Sequence, residues 1–171
     1  MQTSFLLFFI ILGLIFGDWK NWKDYYPTLL FWIIGDLLYE SLLSDYRVWE
    51  FKPVWIDRFI LPTHTLIATG IAFLAYPFAI VIFLGRMPKS MLHRIFWIIL
   101  WALLFECVEI VAYLGDSIKH HHGWSLLWSL LFNLATFSIL MLHKWKPWTA
   151  WLSSMFIIAV LFIVFDVPLP D

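Results

Sequence analysis

Charge and cysteine are both scarce in this chain, and each shortage excludes something. Only 13% of the 171 residues are Asp, Glu, Lys or Arg, against 63% hydrophobic. With a mean hydropathy of +0.85, that balance excludes an ordinary soluble domain. The net charge of −1 excludes nucleic acid as a partner, which requires a basic footprint. A single cysteine, Cys107, excludes an internal disulfide and a CxxC redox centre. Beside Glu106 it reads as a small buried apolar residue. The first apolar stretch has neither a basic n-region nor an A-x-A site, so it is expected to be a retained span rather than a signal peptide. No GxSxG, HExxH or spaced His-box motif occurs, nor an internal repeat or low-complexity linker.

What is present is a succession of apolar runs. They predict an all-α polytopic membrane protein, one domain made of a bundle of six transmembrane helices with short loops. The spans are expected at about 4–17, 28–44, 61–85, 91–114, 123–142 and 149–167. Many of the 12 Trp fall at segment ends (Trp19, Trp22, Trp49, Trp55, Trp124, Trp145 and Trp148), as expected at a membrane–water boundary. The first span is short for a hydrocarbon core of roughly 30 Å. Its Gly13 and Gly17 form a GxxxG, which permits close helix contact and so an oligomer interface. Pro27 is expected to open the second helix and Pro77 to kink the third. Lys20, Lys23, Arg86, Lys89, Arg94, Lys144 and Lys146 occupy the odd loops; Arg47, Lys52, Arg58 and Lys119 occupy the even ones. That bias favours both termini outside.

The polar residues inside the spans carry the chemistry. In the stretch 105–123, FECVEIVAYLGDSIKHHHG, the residues Glu106, Glu109, Tyr113, Asp116 and His120 recur every three or four positions, one face of a helix. Asp36 and Glu40 share a face of the second span, and His64 stands near the start of the third. If the spans alternate, Glu40, His64, Glu106, Glu109, Asp116 and His120–His122 lie in one leaflet half, with Asp36 and Asn133 nearer the midplane. No Lys or Arg lies in the span interiors to neutralise the carboxylates. Such a cluster must hold protons, bind a cation or open to water. The candidate ligand- or ion-binding residues are therefore Asp36, Glu40, His64, Glu106, Glu109 and Asn133. A divalent metal could draw on His64, Glu106, Glu109 and His120. The plainer readings stand beside these. Protonated carboxyls can simply bond neighbouring helices, and Ser125, Ser129, Asn133 and Thr136 can be a small-residue packing stripe. His120–His122 can form a solvated, metal-sticky loop, and His93 and His143 can meet headgroups.

Several stretches resemble a family of small, uncharacterised six-span integral-membrane proteins of spore-forming Firmicutes, of the Bacillus and Clostridium type. They are DWKNWKDYYPTLLF at 18–31, LLYE at 37–40, PTHT at 62–65, the glutamate-bearing fourth span, GWSLLWSLLFN at 123–133 and LHKWKPWTAW at 142–151. The resemblance implies a multi-pass protein of a bacterial cytoplasmic membrane. It brings no activity, cofactor or catalytic residue with it.

Three function classes fit these residues. The first is binding or transport of a cation, proton or small solute by the acidic, histidine-bearing pocket; a six-span substrate-binding subunit of a vitamin uptake system is an architectural analogue. The second is a metal-dependent membrane enzyme with Glu109 as general base. The third is a structural or accessory protein whose polar groups only join helices. A bis-histidine haem through His64 and one of His120–His122 is a further reading. The partners expected are the lipid bilayer and a small solute or cation.

Overall fold

The computed structural model describes residues 1–168. Its elements in order are α1 (Gln2–Phe16), α2 (Trp22–Leu42), β1 (Trp49–Phe51), the short α3 (Asp57–Ile60), α4 (His64–Gly70), a π-helical turn (Ile71–Ala75), α5 (Tyr76–Phe83), α6 (Met91–Leu114), β2 (Ile118–His120), α7 (Leu126–Trp145) and α8 (Pro147–Val164). The α4–π–α5 run is one rod, so six long helical rods lie on the six apolar stretches. Four of them are long and apolar enough to cross a membrane. A fifth span results if α1 and α2, whose axes bend by 92° at their junction, count as one. These apolar helices are compatible with a multi-pass membrane protein.

Composition explains where each rod sits. Ala68, Ala72, Ala75 and Ala79 recur at four-, three- and four-residue steps and are at most 4% exposed. A stripe of small side chains lets other helices approach closely, so the α4–α5 rod is central: 61% of it is buried, against 6% of α8. The core around it is aromatic, with Phe9, Phe83 and Phe137 fully buried and Trp101 close by. The π turn just precedes Pro77, whose ring cannot accept a normal helical neighbour at the carbonyl four residues back. A wider turn relieves that clash, so the expected kink is a π bulge.

Gly13 and Gly17 face inward. A Cβ on Gly13 would overlap Phe78, and one on Gly17 would overlap Val81 and Trp19. The GxxxG therefore seats α1 against α5 within the chain, and the oligomer contact expected of it gives way to an internal one. Pro27 does not open α2 either. The helix begins at Trp22 and carries Pro27 inside it; DWKNWKDYY is already helical enough to start before the proline.

The ends of the rods sort into two groups. At one end, Asp18 donates its N–H to the Val81 carbonyl, Arg86 donates to the Phe16 carbonyl and Lys144 donates to the Asp24 carbonyl. Arg94 lies over the Trp145 ring. At the other end, β1 and β2 pair antiparallel, Trp49 opposite His120 and Phe51 opposite Ile118. This ribbon, made from the two even loops, was not legible as strand in segments so short. Asp57 in α3 is fully buried there and accepts from the Gln2 and Thr3 N–H groups and the Thr3 hydroxyl, and from the Met1 amine. It thus caps α1 from another part of the chain. Burial alone would raise its pKa, but these donors outweigh burial and hold the carboxyl down at about 2.

Candidate functional site: an acidic cavity under a two-stranded cap

The ribbon end encloses a cavity of about 140 Å³. Asp36 and Glu40 reach it from α2, Tyr76 from α5, Glu109 from α6, and Ser129 and Asn133 from α7. Trp49 and Phe51 of β1 with Ile118 of β2 form its cover. The alternation of a strand explains this: residues 49, 51, 118 and 120 share one face of the ribbon, while Glu50 and Lys119 point away. Among the described residues no Lys or Arg lines the cavity.

Each carboxylate is held by a named donor. The Tyr76 hydroxyl donates to Asp36 Oδ1 at 2.9 Å, and the Trp32 ring stacks on Tyr76 at 3.9 Å, fixing the phenol. His64 sits 2.8 and 3.0 Å from the two Glu40 oxygens through Nε2. Its Nδ1 accepts the Phe51 N–H at 2.8 Å. Because Nδ1 must offer a lone pair to that backbone donor, the ring proton resides on Nε2 and is donated to Glu40. His64 is therefore a neutral hinge pin between α2, α4 and the ribbon.

On the other wall Glu109 Oε1 accepts from the Ser129 hydroxyl and pairs with His120 Nε2 at 2.9 Å. Ser129 in turn accepts from the Trp124 indole at 2.8 Å, and His120 stacks on Tyr113 at 4.9 Å. Glu106 lies behind this wall, 5% exposed, and accepts from Asn133 Nδ2 at 3.3 Å. Among the described residues, Asp36 Oδ2 and Glu109 Oε2 accept no hydrogen bond from the protein. The cavity thus presents carboxyl oxygens free of protein donors beside the Tyr76 and Ser129 hydroxyls and the Asn133 amide.

The structure brings together five of the six expected ligand-binding residues as cavity lining or its direct partners: Asp36, Glu40, His64, Glu109 and Asn133. Glu106 is adjacent but shielded. The helical stripe beginning at Glu106 holds only as far as Tyr113. α6 ends at Leu114, Asp116 takes a left-handed turn (φ 54°), and His120 returns on β2 rather than on the helix. The expected metal set His64, Glu106, Glu109 and His120 does not converge: His64 pairs with Glu40, His120 pairs with Glu109, and Glu106 is turned to Asn133. Among the described residues no three His, Cys, Asp or Glu form a group able to hold a metal ion. Both His64 nitrogens are already engaged, so that ring has no lone pair left to give.

Other expectations are corrected here. Of the three consecutive histidines only His120 leaves the expected solvated loop, turning in to Glu109, while His121, 3.4 Å from Glu50, and His122, on the Tyr46 ring, stay exposed. His143 does not reach headgroups; it is buried, 3.0 Å from the Thr28 hydroxyl and stacked on Phe31. Cys107 is exposed, because a residue next to the inward Glu106 is turned about 100° round the helix. Sequence reasoning passed over Tyr76 and Ser129 as site residues. Tyr76 lies on the 64–68–72–76 spacing of His64's own face, and Ser129 four residues before Asn133, so helical periodicity held the signal for both. No family model, curated protein or solved structure matches this chain.

Proposed function

We propose that the chain is a six-pass protein of a bacterial cytoplasmic membrane whose acidic cavity binds a small cationic solute of the ammonium type. The observation that carries this reading is a cavity walled by Asp36, Glu40 and Glu109 in which, among the described residues, there is no Lys or Arg and two carboxyl oxygens lack a protein donor. A buried carboxylate is costly unless paired with charge or saturated with hydrogen bonds. An ammonium group supplies both, one positive charge and several N–H donors. The cavity sits at the ribbon end, beneath short loops, and the residues toward the opposite end are the packed aromatics of the core. This favours a one-sided binding pocket over a through-channel. The basic-residue bias favours the outer face for the ribbon end and both termini.

The test is calorimetric titration of ethylammonium, sodium and potassium ions into the protein in phosphatidylcholine nanodiscs. Saturable binding of at least one of these is expected, weakened about tenfold or more in the Asp36→Asn/Glu109→Gln double variant, whose thermal unfolding should stay cooperative. A wild-type protein that shows no saturable binding of any of them would sink the proposal and leave a purely structural polar network.

A further inference from the structure

A second cavity, of about 190 Å³, adjoins the acidic one and has the opposite character. It is a groove between α2 and α8, floored by α7, because α8 leans on α7 rather than on α2. At the far end the Phe31 and Trp151 rings meet edge to face at 4.6 Å and close it. From Trp151 to Phe165, at the near end, α8 rises about 21 Å, more than the roughly 15 Å of half a hydrocarbon core. The two cavities share Asp36, Tyr39, Trp49, Tyr76, Trp124 and Phe132 as walls. Only these side chains stand between the polar cavity and the apolar groove.

Resting on the cation-binding reading above, we infer that the ligand is a single-chain amphiphile, a long-chain amine whose ammonium sits among the carboxylates and whose alkyl chain lies in the α2–α8 groove. Three observations favour this occupant. The groove is lined mainly by apolar side chains, and its one charged wall residue among the described residues, Asp36, is also a wall of the acidic cavity, so an ammonium head and an alkyl tail have adjoining places. Asp36 lies between the Phe31 and Leu43 ends of the groove's α2 wall, with Trp49 and Trp124 toward the ribbon end, so a head group held there has an aromatic boundary on its ribbon side. Gly35, which lines the groove, has nothing within 4 Å of where a Cβ would stand, so the chain leaves this wall bare where a ligand chain would pass. The tail is already in hydrocarbon before it binds. The groove therefore contributes position and chain selection rather than a gain from leaving water.

The test uses a decylamine carrying a diazirine in its tail, photolysed with the protein in phosphatidylcholine nanodiscs and mapped by mass spectrometry. Adducts are expected on Ala135, Ile139 and Ile158, removed by excess plain decylamine. Gly35→Trp, whose Cβ meets nothing within 4 Å and whose ring would occupy the groove, should abolish those adducts and weaken decylamine about tenfold while leaving ethylammonium binding unchanged. Adducts scattered over the lipid-facing sides of α6 and α8, uncompeted and insensitive to Gly35→Trp, would overturn the inference while ethylammonium binding kept the cation site intact. Cross-links joining two copies through the groove would overturn it in favour of self-association. Loss of ethylammonium binding in the wild type as well would remove both readings together.

Discussion

At the scale of single residues, the protein's most constrained group is the His64 ring. A backbone N–H and a carboxylate bind its two nitrogens, and only the neutral Nε2–H tautomer satisfies both. Nitrogen-15 NMR of histidine-labelled protein at neutral pH should show this tautomer for His64; an Nδ1–H signal would contradict the geometry. Glu40→Gln keeps an acceptor for Nε2–H and should cost no more than about 1 kcal/mol. Glu40→Leu strands a buried donor and should cost about 1–3 kcal/mol in thermal or denaturant unfolding. The sequence disclosed the carboxylates themselves, because an acid in an apolar helix is expensive wherever it occurs. It did not disclose their partners. Which donor meets Glu109 depends on α7 lying beside α6 and on β2 folding back over both, and neither neighbour relation is encoded in local spacing. The same limit explains Cys107 and His143, each assigned to the wrong environment because only a packed neighbour decides which way a helix face turns.

At the scale of elements, two devices fix α1, a helix only 15 residues long and too short to be secured by span length alone. One is Asp57, which closes its first turn from a distant loop. Asp57→Ala should destabilise the protein by about 0.5–2 kcal/mol, the usual worth of an N-cap. Because the folded pKa of about 2 is below the ordinary 3.8, the Asp57 contribution is fully present above about pH 4 and fades only as pH falls toward 2. Stability should therefore show no Asp57-dependent change between about pH 5 and pH 6.5, and a difference between wild type and variant that varied across that range would count against the assignment. The other device is Gly13. Gly13→Leu forces a side chain into Phe78 and should cost about 1–3 kcal/mol through overpacking, whereas Gly35→Ala, facing open space, should be neutral or stabilising by helix propensity. The helices were legible because apolar runs and Pro or Gly punctuation mark them directly. The ribbon was not: three-residue strands leave no periodicity, and β1 and β2 exist only because the loops that carry them meet.

At the scale of the whole molecule, the ribbon ties the two even loops into one cap, and the basic odd loops gather at the opposite end. This arrangement makes a topological claim that labelling can decide. On a Cys107→Ser background, Lys52→Cys and Lys119→Cys mark the ribbon end, while Lys20→Cys, Lys89→Cys and Lys146→Cys mark the other. With a membrane-impermeant maleimide applied to intact cells, the first two should react and the last three should react only after permeabilisation. If Lys52→Cys and Lys119→Cys react on opposite sides, the two even loops do not share a face, and both the cap and the acidic cavity beneath it fail. If they react together but only after permeabilisation, the fold stands and the molecule is inverted, with its cavity filled from the cytoplasm. Cross-linking adds an internal check. Glu50 and Lys119 are paired across the ribbon and point away from the cavity, so Glu50→Cys/Lys119→Cys should form a disulfide under mild oxidation. Such a bond would lock the cap shut. Slower ethylammonium association in the oxidised than in the reduced protein would identify the ribbon as the door; equal rates would direct entry to the side of the cavity that adjoins the α2–α8 groove.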